Sequence, residues 1–355
     1  MDKKAFFLLL FALLLVVSVS GCTGISSIDS LFGGFCIPGI GTCGQTVEYA
    51  NDVLIIKTLD AVPQTISTGQ QIRLSAWIQN NGGETVPQKT FSTSAAGADW
   101  VGKYITVKLY DTCEGLFDNI EATCPPDSTQ TDDKRGCWIT SILPKQTIPI
   151  SWSLRARDKA AIPLETSCNL KVYVQYPYQT KSITSVTFVD YTEYQRMLNE
   201  NKYSAITSYI TEGYGPIKPY LTAETTQPIP VENNKQSDFQ MAFQVKNKGS
   251  GFLSALYKED GDLIKIHNGD IVVESNIGNK ADDYQLGQYV STAITNLGNI
   301  QLIGADSPKQ TFSITAPYKN KIEKIASYYV TSSIKYMYEF RKEIKVTIKP
   351  PAITG

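Results

Sequence analysis

The stretch Ile72-Arg73-Leu74-Ser75-Ala76-Trp77-Ile78-Gln79-Asn80-Asn81-Gly82-Gly83 decides the fold class. Ile72, Leu74, Ala76 and Ile78 alternate with Arg73, Ser75, Trp77 and Gln79, the period of two that puts one face of a strand in a core and the other in water. Asn80-Asn81-Gly82 then supplies residues tolerant of positive φ, a turn signal. The same text recurs: Phe239, Met241, Phe243 and Val245 alternate in the same way and run into Asn247-Lys248-Gly249. Pro144-Lys145-Gln146-Thr147 returns as Pro308-Lys309-Gln310-Thr311, an offset of 164 (308 against 144). Leu170–Tyr176 parallels Ile334–Phe340 at that offset. Three matches in one order describe a duplicated unit.

Working outward, each copy reads as short strands separated by turns. Candidates in the first copy are 53–59, 104–110, 138–143, 148–154, 170–176 and 183–189. In the second they are 220–225, 252–257, 270–275, 310–315, 333–340 and 343–348. About seven short strands per copy is the pattern of a β-sandwich. Between the copies, Asp190 and Glu193 have capping-box spacing and Gly213 is a natural stop. Tyr191, Tyr194, Leu198, Ala205 and Tyr209 fall at helical spacing, with a polar interruption at Asn199–Asn201. A helix is expected there, as a spacer or as a docking helix for another protein.

The N-terminus has Lys3 and Lys4, an apolar run from Ala5 to Val17, and then small residues, the layout of a secretory signal. The run falls short of the ~20 apolar residues of a membrane span. Its end, Val19-Ser20-Gly21-Cys22, resembles the lipobox of prokaryotic lipoproteins. That resemblance implies cleavage before Cys22 and lipid on its sulfur, holding the body at the outer face of the cell membrane; ordinary signal cleavage is the alternative. Residues 22–48 read as a flexible tether. Six further cysteines, Cys36, Cys43, Cys113, Cys124, Cys137 and Cys168, form an even set, which in an exported chain means disulfides. Sequence proximity favours Cys36–Cys43, Cys113–Cys124 and Cys137–Cys168. Zinc is the other reading, but no CxxC spacing occurs.

The 355 residues carry 33 Lys+Arg against 34 Asp+Glu, a net charge of −1, which excludes an overall electrostatic grip on nucleic acid. A lone histidine, His267, sits in a turn with no acid–base partner in sequence. The segment 111–135 holds seven acids and reads as a solvated, disulfide-pinned loop; calcium and a carboxylate-based hydrolase are its sharper readings. The basic, tyrosine-rich C-terminal stretch alternates Ile334, Tyr336, Tyr338 and Phe340 with Lys335, Glu339 and Arg341. One strand with a core face and a wet face explains it, and contact with anionic lipid or glycan is the alternative. All four tryptophans lie in the first copy, where Trp152 reads as core. Trp77 and Trp100 are the candidates for ligand contact, because exposed aromatic rings can stack on sugars. No catalytic residue, metal site or cofactor is expected.

Asp52-Val53-Leu54, Gly69-Gln70 ahead of the Ile72 strand, Asn80-Asn81-Gly82, Val107–Asp111, Leu143-Pro144 and Ile150–Leu154 follow one another in an order that resembles the CARDB type of domain. These are cell-adhesion-related domains of bacteria and archaea, akin to S-layer-associated immunoglobulin-like modules. The resemblance covers roughly residues 50–190 and, more loosely, 216–349, and general likeness points to an archaeal source. It implies a mainly β chain with two immunoglobulin-like antiparallel β-sandwiches, 49–189 and 215–349, joined by a helical connector at 190–214, with a short tail at 350–355. The expected role is non-enzymatic: adhesion, envelope structure or an accessory subunit, with surface proteins or glycans as partners. A glycan- or small-ligand-binding lipoprotein is the rival.

Overall fold

A computed structural model describes residues 51–88, 104–111, 113, 115–158, 162–208, 210–232, 238–254, 265–266, 271–276, 286–317, 322 and 324–350. They belong to one unit, Ala50–Gly355, and are mainly β. The first half forms β1 (Leu54–Val62), β2 (Thr65–Ser67), β3 (Gln71–Asn80), β4 (Ile105–Asp111), β5 (Phe117–Thr123), β6 (Ser128–Gln130), β7 (Gly136–Ile139), β8 (Thr147–Ala156) and β9 (Thr166–Asp190). Helix α1 (Tyr191–Asn199) follows. Then come β10 (Ile210–Glu212), β11 (Ile217–Ala223), β12 (Ile229–Val231), β13 (Asp238–Asn247), β14 (Phe252–Leu253), β15 (Lys265–Ile266) and β16 (Ile271–Asn276). Helix α2 (Leu286–Asn296), β17 (Ile300–Gln301), β18 (Gln310–Thr315) and β19 (Ile325–Lys349) complete the order.

Two covering sheets, β1-β3-β8-β5 and β11-β13-β18, accompany a ten-stranded sheet built on β9 and β19. Each of these two strands has 25 residues, about 80 Å at ~3.3 Å per residue. They pair antiparallel without a break from Ile325↔Val189 to Ile348↔Thr166. The sequence reading divided each of them into two strands, so the structure corrects it: 170–176 joins 183–189, and 333–340 joins 343–348. Proline removes a ladder donor, yet Pro177 does not interrupt β9. Met337, its register partner, gives its carbonyl to Ser254 N–H on the far edge (2.9 Å). The Pro177 nitrogen therefore points away from β19 and breaks no bond to it. On that outward edge, between β4 and β10, the Gln88 amide takes a strand's part. Its Oε1 accepts from Gln179 N (2.6 Å) and its Nε2 donates to Gln179 O (3.1 Å).

Even-numbered residues of both long strands face the core. Val172, Val174, Tyr176, Tyr178, Val186 and Phe188 are buried opposite Tyr328, Val330, Ile334, Tyr336, Tyr338 and Phe340. Midway, Tyr176, Tyr178, Tyr336 and Tyr338 pack together, edge to face except for the tilted Tyr178–Tyr336 pair, with Tyr176–Tyr338 centroids 5.9 Å apart. Such pairs add about 0.5–1.5 kcal/mol beyond their burial. β3 and β8 place Ile72, Leu74, Ala76, Ile78, Trp152 and Leu154 in the same core. Phe239 of β13 meets Phe188 at 5.3 Å farther along.

The strand ends cross between the halves. β2, from the first half, pairs parallel with the end of β19 (Thr65↔Thr347 to Ser67↔Lys349). β12, from the second, pairs parallel with the end of β9 (Ile229↔Phe188 to Val231↔Asp190). The repeated Asn-x-Gly text builds the same turn twice. Asn80 Oδ1 accepts from Gly82 N (2.8 Å) and its Nδ2 donates to Glu84 O (2.8 Å). Asn247 Oδ1 accepts from Gly249 N (3.0 Å) and its Nδ2 donates to Gly251 O (2.8 Å).

The connector helix is shorter than its periodicity suggested. Asp190 caps it, accepting from Thr192 N and Glu193 N. It stops at Asn199, where the polar interruption lies, with Asn201 at φ 52°. None of its residues is buried. Gly213 lies beyond β10 rather than at a helix end.

The disulfides differ from the pairing that proximity favoured: Cys113 bonds Cys168, and Cys124 bonds Cys137. Sheet register dictates the first, because β4 and β9 pair as Asp111↔Leu170, and two residues farther along Cys113 meets Cys168. The acidic segment is not simply a loop. It contributes β5 to the edge of one sheet and β6 to the edge of the other. Trp152, fully buried, ties it down by donating from Nε1 to Arg135 O (2.8 Å).

Candidate binding face

The odd-numbered residues of β9 and β19 lie on the side of the ten-stranded sheet away from the tyrosine core. Register brings three rows of side chains together there. Thr106, Gln175, Glu339 and Phe252 form one row across β4, β9, β19 and β14. Lys108, Tyr173 and Arg341 form the next, and Tyr110, Lys171 and Glu343 the third. Trp138 extends the first row, opposite Thr106. Strand alternation alone places these residues on one face.

Contacts within the rows fix the side chains. Arg341 Nε donates to Glu339 Oε1 at 2.7 Å. Its guanidinium lies 4.9 Å from the Phe252 ring centroid and 5.9 Å from that of Tyr110, a cation–π arrangement. Gln175 Nε2 donates to Ser254 Oγ (2.6 Å). Lys171 pairs with Glu343 at 3.6 Å, and Lys108 with Asp133. Gly136 is the register partner of Lys108, and a Cβ there would stand 2.5 Å from Val107 O, so the position calls for glycine. Tyr110 is 52% exposed and Phe252 37%, each with the Arg341 guanidinium over its ring.

Burial alone would raise the Asp133 carboxyl, yet hydrogen bonds from Lys108, Thr131 and Arg135 N–H, with the Lys108 charge, hold it below its ordinary value. Burial, and then the carboxylates of Glu339 and Asp133, push the Tyr173 hydroxyl up to about 12. Tyr173 therefore keeps its proton at physiological pH and can donate a hydrogen bond.

Trp77 points away from the core as its alternation required and is 44% exposed on β3. Trp100, its partner in the sequence reading, lies outside the described residues, as do Cys22, Cys36, Cys43 and His267. Of the acids of the segment 111–135, Asp118 pairs with Arg157 (2.7 Å) beside the four-stranded sheet, and Asp133 with Lys108 on the other sheet. Among the described residues no His, Cys, Asp or Glu cluster is arranged to hold a metal. Sequence reasoning placed Glu339 and Arg341 on a wet face but not beside Tyr110, Tyr173 and Phe252. The alternating polar and aromatic positions of each strand were the available signal, and register between strands was the missing part.

No protein-family profile matches the chain, and no curated protein matches it. Among solved structures, the crystal structure of collagen adhesin (CNA) from S. aureus aligns at 13% identity over 83% of this chain and 92% of that one, with a TM-score of 0.14. A likeness of that degree carries no argument about fold or role.

Proposed function

We propose that this is an exported lipoprotein, anchored through Cys22 at the outer face of the cell membrane, whose role is adhesive, envelope-structural or that of an accessory subunit rather than enzymatic. Its body is read as two immunoglobulin-like β-sandwiches, arisen by duplication, that share β9 and β19. The observation that carries the reading is the unbroken pairing of two 25-residue strands. Such an element gives length, stiffness and lateral surface. Two disulfides support folding in an oxidising compartment. Surface proteins or glycans are the partners proposed, with no nucleic acid and no cofactor. Ligand binding as the main role is the second reading, favoured by the exposed Trp77 ring.

Expression of the full chain and of Cys22→Ser in a prokaryotic host with lipoprotein processing tests this. We expect a mature N-terminus at a lipid-bearing Cys22, protease access from outside intact cells, and release of the variant from the membrane. A chain that stays in the cytoplasm with free thiols would overturn the proposal.

A further inference from the structure

The outer face around Arg341 has a composition that selects a ligand class. Three cations (Lys108, Lys171, Arg341) stand among three carboxylates (Glu339, Glu343, Asp133), each cation paired with a carboxylate. Within these three rows the charges cancel and every cation already has its carboxylate, so the rows themselves present no uncompensated charge to a polyanion or a polycation. Its density of Lys, Glu and Asp is the reverse of a protein-interface core, where those residues are depleted. It does hold polar groups side by side in Arg341, Gln175 and the Tyr173 hydroxyl, with Glu339, only 7% exposed, fixing Arg341 from beneath. The exposed rings of Tyr110 and Phe252 flank them. Hydroxyl groups both donate and accept, so an alternating array of this kind satisfies them, while apolar C–H surfaces pack on aromatic faces.

We propose that this face binds an uncharged oligosaccharide, with sugar C–H surfaces against the exposed parts of Tyr110 and Phe252 and hydroxyls bridging Arg341 and Gln175. The inference rests on the surface role above and supplies its ligand class. It assigns recognition to a site distinct from Trp77, which lies on the opposite side of a different sheet.

Affinity gel electrophoresis of the full chain in detergent tests it, with soluble neutral glucan, mannan, galactan and xylan in separate gels and heparin as a polyanion. The variants are Tyr110→Ala, an exposed position whose loss spares the core, and Arg341→Gln, which keeps a donor for Glu339. Circular dichroism checks the folding of both. Retardation by at least one neutral polysaccharide is expected, weakened tenfold or more in each variant, unchanged in Trp77→Ala and absent with heparin. Retardation by heparin alone, retardation that survives Tyr110→Ala and Arg341→Gln, or none in any neutral gel would overturn the proposal. These results are independent of the Cys22 processing experiment, so failure of the ligand assignment is distinguishable from failure of the surface reading.

Discussion

At the scale of single residues, Lys218 is the least comfortable side chain in the fold. It is 1% exposed, its amine donates to Gly213 O, and its register partner across β11 and β13 is another lysine, Lys246. Like charges directly opposite in a sheet are unfavourable. Burial first, with Lys248 adding to it and Glu212 opposing, lowers its pKa to about 8. Because the unfolded chain keeps its lysine proton up to ~10.4, the unfolded state binds more protons between about 8 and that value. Stability therefore rises with pH across this window. Lys218→Met is expected to stabilise the protein by about 1–3 kcal/mol at neutral pH and to flatten that rise; urea midpoints measured from pH 7 to 10 check both.

At the scale of elements, alternation was readable and continuity was not. Ile72–Ile78, Phe239–Val245 and Ile334–Phe340 declare their buried faces by period two, and all three are strands with those faces inward. The continuity of β9 through Pro177 lies beyond local sequence, because whether a proline breaks a strand depends on which edge its nitrogen faces. The cysteines teach the same lesson. Cys113 is nearer Cys124 in sequence, but the β4–β9 register sets it opposite Cys168. The rows of the binding face were likewise invisible until register aligned β4, β9, β19 and β14. Non-reducing peptide mapping should recover Cys113–Cys168 and Cys124–Cys137. By loop entropy the first, closing 55 residues, is worth ~4 kcal/mol and the second, closing 13, ~3 kcal/mol. Cys113→Ser/Cys168→Ser should thus lower stability more than Cys124→Ser/Cys137→Ser, as read by denaturation under oxidising conditions.

At the scale of the whole molecule, the duplicated text and the crossing of β2 and β12 have one consequence. Each half completes its sheet with a strand end from the other, and β9 and β19 are hydrogen-bonded along their length. Neither half can lose its fold without exposing the other's core, so the two should unfold as one. A body built this way holds its two halves together along β9 and β19, which suits the role proposed above. The position of the tryptophans makes the point measurable. All four lie between Trp77 and Trp152, so their fluorescence reports the first half alone, whereas far-ultraviolet circular dichroism reports both. Equilibrium denaturation of the full chain followed by both signals is the most direct test. The account predicts coincident transitions with one midpoint; a fluorescence transition separated from the dichroism transition would contradict it.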